Sequence, residues 1–373
     1  MPLIRWEKRD GLIAMHQIQG IGWHTLCHLL DAGWDPSTPW TETVAKNARE
    51  RGVRSGVLTR IASKWTAEWV NQVRLEMEKR RIHTVTRWDT EYPSLLKELP
   101  QPPWVLYVKG DASLLAQPGL AIVGTRKPTV YGKDAAATLA EKVAAAGWVV
   151  ISGMAAGVDG LAHSAALGAS GKTVAVLGSG VDVVYPKHHR DLYARIVQAG
   201  AVVSEVPPGT RPHPGLFPQR NRIISGLSWG TIVVEAAEKS GSLITADCSM
   251  EQGREVFAVP GPIHSTQSQG ALRLIQQGAK CVVTVQDIFE EFDHRLDAPV
   301  PSDHSEDTME EKLELTEEEA VLLAYLERGP LSLEELAASV ERPLDFLHQD
   351  LIQLQLKGIV KQLPGARFQR RRG

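Results

Sequence analysis

Three short segments of this chain concentrate side chains able to hold a polyanion. Phe217-Pro218-Gln219-Arg220-Asn221-Arg222 reads as one short loop carrying an aromatic ring, two guanidinium groups and an amide. Lys239-Ser240-Gly241-Ser242 places an ammonium, hydroxyls and a glycine after the apolar run Thr231-Ile232-Val233-Val234-Glu235 and before a helical pattern starting near Leu243. Gly124-Thr125-Arg126-Lys127 follows Ile122-Val123. Backbone amides at a strand end or helix start, backed by cations, receive phosphate oxygens, and an aromatic ring beside them stacks a base. Such a set suits a nucleic-acid backbone better than a neutral metabolite. Arg220 and Arg222 have a packing alternative, an arginine–carboxylate network with Glu205 or Glu235, and one arginine can serve each role.

A second glycine-rich strand exit, Ser152-Gly153-Met154-Ala155-Ala156-Gly157-Val158-Asp159, offers amides to a phosphate, with Asp159 placed to cap the following helix. The dinucleotide fingerprint Gly-x-Gly-x-x-Gly is absent after Val123, which disfavours NAD. Gly171-Lys172-Thr173 is not a nucleotide P-loop: Ala166 stands where that motif needs glycine, and the segment precedes a strand instead of opening a helix. No nucleophile–base pair stands out, and His188, His189, His213 and His264 lack metal-ligand spacing. No catalytic residue, cofactor or metal site is expected.

The elements that must position these residues follow from the hydrophobic pattern. To about residue 81 the chain is helical and rich in Trp, Arg and Lys, with Ile18-Gln19-Gly20-Ile21-Gly22 forming a helix-hairpin-helix-like turn that also fits a plain turn in a small bundle. Residues 82–294 alternate apolar strands with helices. Strands are predicted at Leu120–Val123, Val149–Ser152, Thr173–Leu177, Ala201–Ser204, Thr231–Val234, Glu255–Ala258 and Lys280–Val283. Helical patterns include Lys133–Ala146 and Leu161–Gly168. Near-continuous apolar strands between helices predict an α/β fold, a doubly wound, Rossmann-like parallel sheet covered on both faces, whose ligands bind at the strand C-terminal ends. Residues 295–315, mixing proline, serine and acidic side chains, read as a flexible linker. Residues 316–373 open on the capping box Thr316-Glu317-Glu318-Glu319, contain the amphipathic stretch Pro343–Leu356 and close on a hairpin over 357–368, a winged-helix pattern with a basic tail.

Composition narrows the classes. A net charge of −3 provides no global positive field, so nucleic-acid binding must rest on a local patch. The three cysteines form no disulfide or zinc pattern, the N-terminus lacks a signal-peptide core, and no apolar run is long enough to span a bilayer. A cytoplasmic protein with no membrane partner is expected.

Along nearly its whole length the chain resembles the DNA-processing protein A (DprA, or Smf) family. The match is carried by Val123-Gly124-Thr125-Arg126, the 152–159 segment, Gly178-Ser179-Gly180-Val181-Asp182 with Tyr185-Pro186, Ser204-Glu205-Val206-Pro207-Pro208-Gly209, Phe217–Arg222, Glu235 through Thr245, and Phe257-Ala258-Val259-Pro260-Gly261. The resemblance implies a dimeric, non-enzymatic single-stranded DNA-binding protein that protects incoming DNA in natural transformation and loads RecA recombinase, with single-strand-binding protein as a further candidate partner. Carried over, Arg126 would contact the phosphate backbone, while Phe217, Arg220, Asn221 and Lys239 would line the same pocket. Gly124, Thr125, Lys127, Gly153, Arg222, Ser240 and Gly241 complete the candidate set. The family usually has Asn where this chain has Leu272; Leu272 and Ile275, three apart on a predicted helix, form a candidate face for dimer or RecA contact, with core burial the alternative. Two rival readings are a nucleotide phosphoribohydrolase of the lysine-decarboxylase-like group, whose Pro-Gly-Gly-x-Gly-Thr loop is missing here, and a transcription regulator working through the winged helix.

Overall fold

The computed structural model describes residues 6–292 and, towards the C-terminus, 317–326, 331–340, 360–363 and 367–370 with isolated positions between. The linker expected at 295–315, the capping box at Thr316 and most of the stretch 343–356 lie outside the described residues. The chain forms two compact units, 1–303 and 304–373.

The first unit begins with five helices, α1 (Lys8–His16), α2 (Trp23–Asp31), α3 (Glu42–Glu50), α4 (Ser55–Lys64) and α5 (Ala67–Lys79). Threonine side chains start two of them: Thr41 accepts from the Val44 amide at 3.3 Å and Thr66 from the Trp69 amide at 3.2 Å. The α1–α2 turn needs the left-handed backbone of Gly20 (φ +90°), and it buries Ile18 and Ile21 while Arg60 of α4 donates to the Gln19 carbonyl at 2.9 Å.

A nine-stranded sheet follows. Its strands and helices are β1 (His83–Thr86), α6 (Ser94–Lys97), β2 (Val105–Gly110), β3 (Gly119–Val123), α7 (Val130–Ala145), β4 (Val149–Ser152), α8 (Val158–Gly168), β5 (Thr173–Val176), α9 (Arg190–Ala199), β6 (Ala201–Ser204), α10 (Leu216–Gly226), β7 (Gly230–Val233), α11 (Gly241–Glu251), β8 (Glu255–Ala258), α12 (Gln269–Gln276), β9 (Lys280–Cys281) and α13 (Gln286–Phe289). Strand order is β1-β2-β6-β5-β4-β3-β7-β8-β9. Every pairing from β6 to β9 is parallel, whereas β1 and β2 add antiparallel at one edge. These two strands were not among the predicted ones; only the short helix α6 lies in their connection, and an antiparallel pair needs no crossover. The parallel strands carry the expected double cover. Ala136 and Leu139 of α7 and Ala162 of α8 pack on Leu120, Ile122 and Ile232, while Ile223 and Ile224 of α10 and Ala246 of α11 pack on Val123, Ile151 and Val176.

From β3 the chain winds outward through β4, β5 and β6, then returns to place β7 on the other side of β3. The order therefore reverses between β3 and β7, which opens a crevice at their C-terminal ends. The helical bundle leans on the same sheet: Val105 and Tyr107 of β2 belong to its hydrophobic core, and His16 Nδ1 lies 3.0 Å from the Tyr107 hydroxyl. Among the described residues no helix is long and apolar enough to cross a membrane.

The second unit contains α14 (Glu317–Leu326), β10 (Leu331–Ser332), α15 (Leu333–Val340), β11 (Val360–Leu363) and β12 (Arg367–Arg370). Its strands are antiparallel in the order β10-β12-β11, so the expected terminal hairpin is present, and Leu322, Leu336, Leu351 and Phe368 share its core.

Two fully buried histidines couple this packing to pH. His163 Nδ1 donates to the Thr173 hydroxyl at 2.6 Å, which itself donates to the Val150 carbonyl at 2.6 Å. Burial lowers His163 to about 3 and His16 to about 4, from 6.5. The unfolded chain therefore takes up protons that the folded protein refuses as pH falls from 6.5, and stability declines until the folded values are reached. Each ring accounts for about 2 kcal/mol of the loss between pH 7 and pH 5. In urea titrations, His16→Gln should shrink the stability difference between these two pH values by that amount; an unchanged difference would contradict the assignment.

Candidate nucleic-acid interface

The loop leaving β3 is pinned from two sides. Glu235, buried just beyond β7, accepts the Thr125 amide on its carbonyl at 2.6 Å. Its carboxylate takes the Thr129 amide at 2.9 Å and the Thr129 hydroxyl at 2.6 Å. Thr129 in turn accepts from the Gly132 amide at 3.1 Å and so caps α7, with Gly132 leaving the room that the Glu235 carboxylate fills. On the other side Gly157, at φ +85°, lets the start of α8 lie against the loop, where any Cβ would strike the Thr125 carbonyl and the Arg126 backbone. The Val158 amide donates to the Thr125 carbonyl at 3.2 Å. Gly124 and Thr125 are thereby fixed, while Arg126 and Lys127 extend into solvent with no ion pair among the described residues.

The segment 217–222, expected as a loop, forms the first turns of α10; Pro218 falls where the helix needs no internal N–H partner. On a helix, residues 220 and 222 point about 200° apart. Arg220 turns inward beneath the sheet edge, and its Nη1 donates to the Gly153 carbonyl at 2.5 Å and to the Val176 carbonyl, joining the ends of β4 and β5. Gly153 makes room for that guanidinium where a side chain would overlap it. Asp159 reaches back from α8 and accepts the Gly153 and Ala155 amides at 3.2 and 3.3 Å. Burial raises the Asp159 carboxyl, and the Arg220 charge opposes that rise. Burial likewise lowers Arg220 to about 10, opposed by Asp159, so it stays charged at neutral pH.

Two expectations are corrected by this geometry. Both backbone groups of Gly153 are used internally, so its amide is not free for a phosphate. Arg222 is held by both carboxylate oxygens of Glu205 at 2.5 and 2.6 Å, the packing role weighed for it above. Burial raises the Glu205 carboxyl, and Arg222 draws it back down. Asn221, also buried, donates to the Gly241 carbonyl at 3.3 Å and so ties α10 to the start of α11. Ser240 caps α11 by accepting from the Ser242 amide at 3.3 Å. Lys239 beside it is exposed and forms no ion pair among the described residues.

These pieces surround one cleft of about 540 Å³ at the β3–β7 reversal. Arg220 and Asn221 line its inner side, Arg126, Ser240 and Gly241 reach it from the two flanking loops, and Phe217 forms an aromatic wall. Phe217 does not stand alone. Tyr185 lies 5.5 Å from it between ring centroids, tilted 35°, and is 42% exposed. The sequence contained Tyr185-Pro186 within a matching motif but gave no sign that a ring 32 positions from Phe217 would share its wall. Leu272 and Ile275 sit apart from the cleft on α12, both half-buried, with Ile275 packed on the sheet core.

Replacing Arg220 by methionine should destabilise the fold by about 3 kcal/mol, because two buried strand-end carbonyls lose their donor and Asp159 loses its nearest compensating charge. Chemical denaturation checks this; a loss below about 1 kcal/mol would mean that water replaces the guanidinium.

Comparison with known proteins identifies the family. A family model described as DNA recombination-mediator protein A matches residues 83–293, and one for the DprA winged helix domain matches residues 306–366. The DNA processing protein DprA of Bacillus subtilis is 41% identical over 262 residues, covering 70% of this chain and 88% of that protein. Protein Smf of Escherichia coli is 39% identical over 301 residues, covering 79% of each. The crystal structure of DNA processing protein A from Streptococcus pneumoniae superposes with a TM-score of 0.66 at 35% identity, covering 76% of this chain and 97% of that one. That of DNA processing protein A from Helicobacter pylori, described for its single-stranded DNA binding mode, gives 0.52 at 31% identity, covering 58% and 97%. With the reversed nine-stranded sheet, the glycine-flanked cleft and the terminal winged-helix unit, this chain belongs to the DNA processing protein A (DprA/Smf) family.

Proposed function

We propose that the chain binds single-stranded DNA in the cleft at the β3–β7 reversal. The observation carrying this reading is the pairing of exposed cations that form no ion pair among the described residues with a partly exposed aromatic wall. Arg126, with Lys127 beside it on the same loop, and Lys239, flanking the Ser240–Gly241 rim, supply charge to the sugar-phosphate backbone where it enters and leaves the cleft, and Phe217 with Tyr185 supplies stacking faces that every base can use. Gly124, Ser240 and Gly241 complete the lining, with Thr125 buried behind them and its amide already given to the Glu235 carbonyl. The inner residues Gly153, Arg220, Asn221 and Arg222 serve the site by shaping it. A single-strand preference follows from the rings, since bases paired in a duplex cannot present a free face to them. The Helicobacter pylori relative, described for binding single-stranded DNA, supports the same reading.

The family's description as a recombination mediator supports a fuller role. The bound strand is protected and passed to RecA recombinase, in the cytoplasm, by a homodimer that catalyses no reaction on the DNA and receives strands from single-strand-binding protein. Leu272 and Ile275 are the proposed contact residues for the second copy or for RecA. The domain division 1–81, 82–294, 295–315 and 316–373 assigns DNA capture to the second segment.

Fluorescence anisotropy with a labelled oligonucleotide and its duplex, across a salt series, tests the proposal. Single strand should bind more tightly than duplex. Arg126→Ala and Lys239→Ala should each reduce the salt slope by about 0.7, and Phe217→Ala should cost about tenfold in affinity with little change in slope. Duplex-only binding, or affinities unaltered in all three variants, would move the site elsewhere.

A further inference from the structure

Arg126 lines a second concavity besides the cleft already described. This groove of about 510 Å³ lies on the other side of the Gly-Thr-Arg loop, between the start of α7, the outer side of α8 and the start of α9. Lys127 and Lys133 line it together with Arg126, and no carboxylate is among its lining residues. Lys133, on the first turn of α7, is exposed and has no ion pair among the described residues. Gly157 and Gly160 keep the floor low. Gly160 leaves space for the edge of the His189 ring, whose Nδ1 is held 3.0 Å from the Met154 carbonyl. Ser164 lines the groove as well, and Leu161 and Leu192 give it an apolar side that a sugar or base can cover.

In a chain of net charge −3, three cations converge on a groove whose lining has no carboxylate, and none of them forms an ion pair among the described residues. We propose that this groove carries a further stretch of the same single strand. The backbone would cross over Arg126, leaving the aromatic cleft and entering a second phosphate subsite formed by Lys127 and Lys133. The inference rests on the reading of the first cleft as a single-strand site. It adds that the footprint is longer than that cleft and runs towards α7 and α9, not only across the seam towards Lys239. The apolar side and the glycine floor suit a continuous strand, whereas a free phosphate would use only the cations.

Anisotropy titrations with an oligothymidylate of about 6 nucleotides and another of about 20 separate the two ideas. Lys133→Glu reverses charge in the groove, and Ser164→Trp narrows it without altering charge. Each should weaken the long oligonucleotide roughly three- to fivefold while leaving the short one unchanged, and Lys133→Glu should also lower the long strand's salt slope by about 0.7. Lys239→Ala should weaken both lengths. If both groove variants bind the long strand like wild type while Lys239→Ala still weakens it, the second subsite is wrong and the first cleft stands. Equal weakening of short and long strands in the groove variants would also overturn the subsite. If wild type binds neither oligonucleotide, the single-strand reading itself fails and the extension with it. Inorganic phosphate that displaces the long strand from wild type only down to the affinity of Lys133→Glu would support the subsite.

Discussion

A guanidinium held beneath the ends of two parallel strands is the constraint around which this site is arranged. Parallel strands end in carbonyls that no neighbouring strand completes, and buried acceptors without donors are costly. Arg220 supplies donors to two such ends at once, Gly153 of the β4 exit and Val176 of β5. Its own charge is tolerable there because Asp159 offsets it from the start of α8. Gly153 has to be glycine for the guanidinium to fit, and α10 has to cross the sheet at one height for Arg220 to reach. That height sets Phe217 at the rim, one turn earlier on the same helix, and Asn221 against the start of α11.

A second buried charge performs the matching task on the other flank. Glu235 holds Thr125 and Thr129, so the loop between them has little freedom except in its side chains. Charges in this region thus divide by engagement. Arg220, Arg222, Asp159, Glu205 and Glu235 are spent on shape, while Arg126, Lys127, Lys133 and Lys239 are exposed and form no ion pair among the described residues. The rigid inner set lets the outer cations stand where like charges would otherwise spread apart, which is how a protein of negative net charge maintains a locally positive edge.

The sheet was legible from sequence where apolar β-branched runs stood between helices. Val149–Ser152, Ala201–Ser204 and Glu255–Ala258 fall at their predicted bounds, because such runs have no other stable use in a doubly covered sheet. β1 and β2 escaped notice since they belong to a different, antiparallel arrangement at the margin. The strand-end loops were also legible as a group, because glycine and cations at the end of an apolar run have few packing explanations. What the sequence did not contain was direction. Phe217–Arg222 reads as a loop from sequence, and only its helical form separates the inward Arg220 from Arg222 on Glu205, 17 positions away. The Tyr185–Phe217 wall was hidden for a similar reason, since the rings meet through the fold and not through spacing.

The reversal of strand order has a mechanical side. To one side of β3 lie the strands wound first, and to the other lie those wound last; the two wings meet along the β3–β7 ladder, Leu120 to Val123 against Gly230 to Val233. The cleft sits on top of that seam, with Arg126 and Tyr185 contributed by the first wing and Ser240 and Gly241 by the second. A ligand gripping both rims acts as a strap across the joint. Its binding energy adds to the cohesion of the wings, so occupancy raises the free energy of pulling them apart by an amount set by ligand concentration relative to the dissociation constant. A taut strand drawn across the seam would load the same joint in tension, which makes that short four-residue ladder the element through which pulling forces on the ligand reach the core.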